Sequence, residues 1–233
     1  MVSVIIPAHH EEENIIKMLL RIPFWSQKEN AEIIIAVSPE SDIRNIIVTH
    51  SNVKIIACAK KGRAAQMNEG AALAKGSILV FLHADVIPPN NFINHIQEAL
   101  QKRFQAGFFS YKFDSPNFWL KMNASFTGKD GFFTGGGDQC LFIEKAVFEK
   151  IGKFDENQVL MEDFEFFKRM KKNDVPYTIV QNDLIVSARK YTYNSYLRVN
   201  LTNLLLVLLF KLGYPSFKLK ALHNKLLSTS NNG

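Results

Sequence analysis

Cysteine is scarce. Only Cys58 and Cys140 occur in the 233 residues, both within apolar stretches, so neither a disulfide framework nor a thiolate metal site is expected, and a reducing, cytoplasmic compartment fits. Long apolar runs are missing as well. The most apolar stretch, Leu204 to Phe210, is far shorter than the ~20 residues that span a bilayer, and extending it to Leu197 brings in Arg198, Asn200, Thr202 and Asn203. A buried or surface-lying helix is expected there. Residues 1–7 enter a strand without a basic leader and cleavage site, which argues against a signal peptide. The histidines form no HxH or HExxH spacing, so a zinc hydrolase is disfavoured. Neither GxSxG nor GxGxxG occurs, which argues against an α/β hydrolase and a nicotinamide dehydrogenase. No internal repeat or low-complexity tract is present.

What is there is the mixture of an ordinary folded protein, 47% hydrophobic and 21% charged. The length suits one large α/β domain with a helical tail, and the small polar segment Ser228 to Gly233 is the one stretch expected to be disordered. Lysine and arginine outnumber aspartate and glutamate by 28 to 22, with the surplus between Arg189 and Lys225. Nucleotide phosphates, an acidic membrane surface and nucleic acid all fit such a surplus, as does a plain solvated basic face.

Apolar periodicity gives the architecture. Val2 to Ile6, Ile33 to Val37, Val53 to Ala57 and Ser77 to Leu82 read as buried strands, separated by helices at Glu11 to Leu20 and Gly62 to Ala74. Continuous apolar strands alternating with helices predict a parallel sheet covered on both faces. A helix follows at Asn91 to Lys102. Beyond Gln105 the pattern becomes mixed: a strand at Ala106 to Phe113, a helix at Trp119 to Phe126, a strand at Gln139 to Ile143, and helices at Lys145 to Ile151 and Glu162 to Lys172. Short strands at Tyr177 to Val180 and Leu184 to Ser187 precede terminal helices at Tyr193 to Leu212 and Ser216 to Leu227.

Several residues stand out against this pattern. Asp85 ends an apolar strand, where ligands bind in open α/β sheets. It suits a hard cation completed by phosphates and waters, and equally a turn cap. Glu162 and Asp163 open a helix whose Phe166, Phe167 and Met170 face inward. They read either as acidic residues favoured by the helix dipole or as a general base on a rigid element. Arg63, beside Lys60 and Lys61 at a helix start, could face a diphosphate together with that helix N-terminus, or simply be solvated. Arg189 and Lys190 carry the same two readings. Gly135 to Gly137 with Asp138 and Gln139 reads as a mobile acceptor loop or as an irregular turn.

The order of five blocks adds more: VIIPAHHEEENI at 4–15, KGRAAQMNEGAALAKG at 61–76, LVFLHADVIPP at 79–89, GGGDQCLFIEKAVFEKIGKFDE at 135–156 and LMEDFEFFKRM at 160–170. Together they resemble the family 2 glycosyltransferases. More narrowly they resemble the subgroup of arsenosugar biosynthesis, or radical SAM/selenodomain-associated, glycosyltransferases. The similarity extends from Val2 to about Leu212.

The resemblance implies an α/β GT-A fold, Rossmann-like with a mainly parallel sheet, over 1–192, and a C-terminal helical extension over 193–233 packed on the same domain. It implies an inverting transfer from a nucleotide-diphosphate sugar to a small-molecule or lipid-linked hydroxyl acceptor, dependent on Mg²⁺ or Mn²⁺, with no nucleic acid partner. By motif, Pro7, Ala8 and Glu11 would line the nucleoside pocket and Arg63 would contact the nucleotide. Asp85 would hold the metal and Asp163 would be the base beside Glu162. Arg189, in a Ser187-Ala188-Arg189 motif, is a phosphate-binding candidate. The chain departs from the family pattern twice. Val37 stands where a pyrimidine-reading aspartate is usual, with Asp42 retained, so weak discrimination among nucleotide bases is expected. His83 replaces the first aspartate of a DxD, making it a second candidate ligand. A non-catalytic nucleotide-sugar-binding protein and a sugar-phosphate nucleotidyltransferase are the rival functions. The basic residues around Leu204 to Phe210 also raise a peripheral contact with the inner face of a membrane.

Overall fold

The computed structural model describes residues 1–22, 31–41, 46–131 and 133–227; Asp42 and the tail Ser228 to Gly233 fall outside them. In chain order the elements are β1 (Val2–Ala8), α1 (Glu12–Leu19), β2 (Ala31–Val37), β3 (Val53–Ala57), α2 (Arg63–Leu73), β4 (Ile78–Phe81), β5 (Val86–Ile87) and α3 (Phe92–Gln101). Then come β6 (Ala106–Phe113), α4 (Phe118–Ser125), a 3₁₀ turn (Gly137–Gln139), β7 (Leu141–Glu144), α5 (Lys145–Lys150), α6 (Glu162–Lys172) and β8 (Tyr177–Val186). The chain closes with α7 (Lys190–Tyr193), α8 (Tyr196–Lys211) and α9 (Ser216–Leu226).

The sheet order is β3-β2-β1-β4-β7-β6-β8-β5. β3, β2, β1 and β4 run parallel. β7 is antiparallel to both of its neighbours, β8 is parallel to β6, and β5 is antiparallel to β8. The expected mainly parallel α/β architecture is therefore present, and its physical basis is visible in β1, where every residue is buried. Alternate side chains feed opposite layers. Val2, Val4, Ile6 and Ala8 pack with α1 and α3, whereas Ile5 joins Ile34 and Ala36 under α2 and α5. Each large apolar side chain buried contributes about 1.5–3 kcal/mol, and a one-residue slip would exchange the two layers, so both faces together specify the register. In the second layer Phe81, Phe148, Phe154 and Phe166 cluster with ring centroids 4.8–5.4 Å apart.

Three elements differ from the periodicity. The two short strands after Pro176 are one strand, β8, carried across its polar middle by a register shift opposite Ser110, whose hydroxyl donates to Asp183 Oδ1 at 2.6 Å. The terminal helix does not start at Tyr193. α7 ends there, Asn194 is extended, and Ser195 caps a new helix by accepting from the Arg198 amide at 3.3 Å. Strand β5 is a two-residue edge segment with too few residues to show a period. Both cysteines are free and buried, and no helix among the described residues is long and apolar enough to cross a membrane.

Candidate active site

The carboxyl ends of β1, β2 and β4 open onto one side of the sheet, and the candidate residues gather there. Gln66, buried on α2, donates from Nε2 to the carbonyls of Ala8 and Ala36, at 2.7 Å each. That clamp fixes the ends of β1 and β2 and leaves Pro7 and Ala8 as buried strand residues that shape the floor. Val37 is 1% exposed inside the apolar core and offers nothing polar. The polar groups at this end are His9, His10 and Glu40, whose ligand-capable atoms lie within 4.8 Å of one another. Lys61 Nζ stands 2.7 Å from Glu40 Oε2 and already neutralises that carboxylate. The trio is therefore better suited to lining a pocket than to holding a cation, although His9 Nδ1 is buried without a hydrogen-bond partner. Lys60 is likewise held by Glu156, at 2.7 Å.

Asp85 follows β4 and is partly buried. Burial raises its proton affinity, as do the facing carboxylates Asp138 and Glu11, against the opposing pull of Arg189. Glu11 accepts from the Asn14 amide, and its Oε1 lies 3.7 Å from Arg189 Nη2. Glu11, Asp85 and Arg189, far apart in the chain, thus share one patch.

Glu162 and Asp163 begin α6 after Met161, which adopts a left-handed φ of 65° as the residue flanking the helix. Arg63 is half-exposed but paired. Its Nη1 lies 3.1 Å from Glu162 Oε1 and 3.9 Å from Asp163 Oδ2. Burial, and then the Glu162 charge, push the Asp163 carboxyl up to about 8 against the opposing effect of Arg63.

The glycine segment is anchored rather than free-swinging. Gly135 has φ +90° and a Cβ there would meet the Phe167 ring at 2.5 Å; Gln139 is buried, accepts from the Gly135 amide at 2.9 Å and donates to the Thr127 carbonyl at 3.1 Å. This fixes Gly137 between two candidate residues, since a Cβ at Gly137 would overlap the His83 ring and lie 2.5 Å from Asp163 Oδ2.

The same turn supplies Asp138, to which the residue reading gave no separate role. Its Oδ1 is 3.9 Å from His83 Nδ1 and its Oδ2 is 3.4 Å from Lys190 Nζ. Burial works against the Asp138 charge, yet Lys190 and then Arg63 hold its carboxyl below the usual range. Lys190 is held above its usual range by Asp138 despite burial. Burial and Arg63 lower His83 to about 3, so its imidazole is neutral. His83 and Asp85 are thus joined through Asp138, which faces both. The signal for Asp138 was its place in the GGGDQ block; nothing in its spacing pointed to His83. Lys220 and His223 of α9 also reach this region, since the charge of Arg63 acts on both.

Asp85 offers a carboxylate oxygen of the kind a hard divalent cation takes, with the charges of Asp138 and Glu11 acting on it, whereas the ligand atoms that lie within 4.8 Å of one another in a group of three among the described residues are those of His9, His10 and Glu40. Two cavities, of about 200 and 400 Å³, lie elsewhere, one beside α5 and the other between α6 and the α8–α9 turn.

Comparison with known proteins places this geometry. Glycosyl transferase family 2 matches residues 3–175, while no curated protein sequence matches significantly. Among solved structures, S. aureus TarS superposes with a TM-score of 0.65 at 14% identity, over 88% of this chain and 39% of its own. The mannosyltransferase PcManGT from Pyrobaculum calidifontis, in complex with GDP-Man and Mn²⁺, gives 0.66 at 16%, over 97% and 68%. S. aureus TarS 1-349 in complex with UDP-GlcNAc gives 0.65 at 12%, over 97% and 70%. This chain therefore spans well under half the length of the first of these TarS chains. At such identities the likeness establishes the shared GT-A fold. With the family match covering most of its length, the chain belongs to glycosyl transferase family 2.

Proposed function

We propose that this chain is an inverting glycosyltransferase that moves a sugar from a nucleotide-diphosphate donor to a hydroxyl acceptor, small-molecule or lipid-linked. The observation that carries this reading is Asp163, partly buried at the start of α6 with its Oδ2 3.9 Å from Arg63 Nη1 and close against Gly137, a carboxyl that serves as the base in its ionised form. In a single displacement the acceptor oxygen forms a bond to the anomeric carbon as its proton passes to Asp163. The bond from that carbon to the diphosphate oxygen breaks, and the leaving diphosphate takes the electron pair. Arg63 and Arg189 neutralise the departing charge. Glu162 holds Arg63 until the diphosphate competes for it. Asp85 and His83 would hold Mg²⁺ or Mn²⁺, which when bound supplies positive charge to the leaving group.

Pro7, Ala8 and Glu11 would form the nucleoside end. The two ligand-bound neighbours carry different bases, guanosine and uridine diphosphate sugars. With buried Val37 in place of a base-reading carboxylate, we assign this chain weak discrimination among bases, through His9, His10 and Glu40. Within the family, the GRAAQMNEG, HAD and GDQ blocks support a reading as a member of the arsenosugar-type subgroup. Residues 1–192 form the transferase domain and the remaining helices are its extension.

The test is turnover of UDP-GlcNAc and GDP-Man with and without Mn²⁺. Metal-stimulated release of nucleoside diphosphate supports the reading. Binding without turnover on every donor favours the non-catalytic alternative, and nucleotide-sugar synthesis from a sugar phosphate favours the nucleotidyltransferase.

A further inference from the structure

From Leu204 to Phe210 helix α8 is apolar around its whole circumference. Val199, Leu206 and Val207 turn into the protein, but Leu197 and Leu201 are 68% and 63% exposed, and Leu204, Leu205, Leu208 and Leu212 are exposed with them. These positions repeat at i, i+4, i+7, i+8, i+11 and i+15, which is a single stripe along one helix face. The buried residues Val199, Thr202, Leu206 and Val207 lie on the opposite face. The outward stripe is therefore surplus to folding.

Helix α4 lies alongside. Asn123 Nδ2 donates to Asn200 Oδ1 and the Tyr196 hydroxyl donates to Asn123 Oδ1, both at 2.7 Å, while the Trp119 and Tyr196 rings are 5.9 Å apart. With Leu120 buried and Asn123 turned to α8, helical spacing sends Phe118, Met122 and Phe126 outward, and Phe118 and Phe126 are 69% and 71% exposed. The exposed stripes thus stand on two helices that the Asn123–Asn200 and Tyr196–Asn123 hydrogen bonds hold side by side.

Within the two segments that carry these helices the charge is of one sign. Neither 115–129 nor 187–227 contains an aspartate or a glutamate, whereas Lys121, Arg198, Lys211, Lys218 and Lys225 in these segments are exposed. A second copy of the chain would set this basic rim against itself across a two-fold axis. An anionic bilayer complements it. Tryptophan and tyrosine at the edge of an apolar surface, with lysine and arginine around it, also match what an interfacial element presents to headgroups.

We infer that α4 and α8 together form a docking surface for an anionic lipid bilayer, the leucine and phenylalanine side chains entering the headgroup boundary and the basic rim contacting the headgroups. Helix α9 links this surface to the cleft. Ser216 Oγ donates to the Asn157 carbonyl at 3.1 Å, ahead of α6, and the charges of Arg63 and Glu162 act on Lys220. The link fits a lipid-linked acceptor and in that respect rests on the transferase reading; the docking surface does not.

The experiment is sedimentation of the full chain with vesicles of phosphatidylcholine and phosphatidylglycerol, and with pure phosphatidylcholine, at low and high salt. The expected result is binding to the mixed vesicles that weakens with salt, and a loss of at least about tenfold in the Leu201→Glu/Leu208→Glu double variant. Both positions are exposed, and an unchanged circular dichroism spectrum checks the fold. In a Trp25→Phe background, Trp119 fluorescence shifts to the blue on binding. No sedimentation with mixed vesicles at low salt, or equal sedimentation of the double variant, overturns the inference. So does a dimer in light scattering that the double variant splits, because a second copy then covers the face. Donor hydrolysis read on the same samples without vesicles separates the two proposals: its absence from both proteins counts against the transferase reading and leaves the docking result standing.

Discussion

In the parallel half of the sheet, Glu11 and Asp85 stand just beyond strand ends, where the backbone of β1 and β4 delivers them. In the other half, Asp138, Asp163 and Lys190 come from a 3₁₀ turn, a helix start and a four-residue helix. They meet only because the glycine segment passes between His83 and α6. The donor end is thus built from regular elements that tolerate change around them, whereas the reacting end depends on close packing across a turn. A substitution that keeps its shape at the reacting end should affect the rate, and one at the strand ends should affect binding.

The sharpest separation comes from Asp163→Asn, which preserves volume but cannot accept a proton. We expect kcat to fall by about 10²–10⁴-fold with nucleotide affinity unchanged by calorimetry. A kcat within a few-fold of the unmutated chain would move the base elsewhere, with Glu162, 4% exposed and already paired to Arg63, the next candidate. From the parallel half, Asp85→Ala should abolish the gain in nucleoside diphosphate affinity on adding Mn²⁺. That loss should be at least the roughly tenfold to hundredfold that follows from removing a partner behind a metal ligand. His83→Ala should cost less. An unaltered metal response in the Asp85 variant would remove the carboxylate from the metal site.

A methyl group discriminates the two halves structurally. Gly137→Ala places carbon against His83 and Asp163, so overpacking of about 1–3 kcal/mol should lower Tm by several degrees, at about 2–4 °C per kcal/mol for a chain of this size, and kcat should fall with it. Gly131, on the same connection, has nothing within 4 Å of an added Cβ. Gly131→Ala is the control, expected to change neither quantity. Equal behaviour of the two variants in a melting experiment would mean that the turn moves aside easily.

The same contrast explains what could be read from the residues alone. β1 and β2 announce themselves through unbroken apolar runs, because burial on both faces leaves no polar alternation to interpret. Asp85 stood out as a charge ending such a run. Asp138 could not stand out in this way, because its partners His83 and Lys190 lie 55 and 52 residues away in sequence and are brought to it by a turn whose shape depends on Gln139 reaching Thr127. Arg63 was legible as a cation at a helix start, but its pairing with Glu162 depends on how α6 packs beside α2. The outward leucines of α8 were visible as composition; which of them face solvent required the seam with α4.

The remaining expected effect concerns stability against pH, and its sign follows from burial. The folded Asp163 carboxyl binds its proton up to about pH 8, whereas an unfolded aspartate releases it near pH 4. Between these values the folded chain holds a proton that the unfolded chain lacks, so this residue makes stability fall as pH rises through the window, levelling off above about 8. Asp85, raised by burial and by its carboxylate neighbours, acts in the same direction. Asp138, held low by Lys190 and Arg63, acts in the opposite one: its contribution is present above the unfolded value and is lost as pH falls below it. The net slope of the unmutated chain therefore mixes opposing groups, and the difference from Asp163→Asn isolates one of them. Urea denaturation at about pH 5, 7 and 9 should show the variant close to the unmutated chain at the acid end and progressively more stable towards the alkaline end. Parallel pH profiles for the two proteins would mean that Asp163 ionises in the folded chain as it does in water, and the raised proton affinity proposed for the base would be lost with that result.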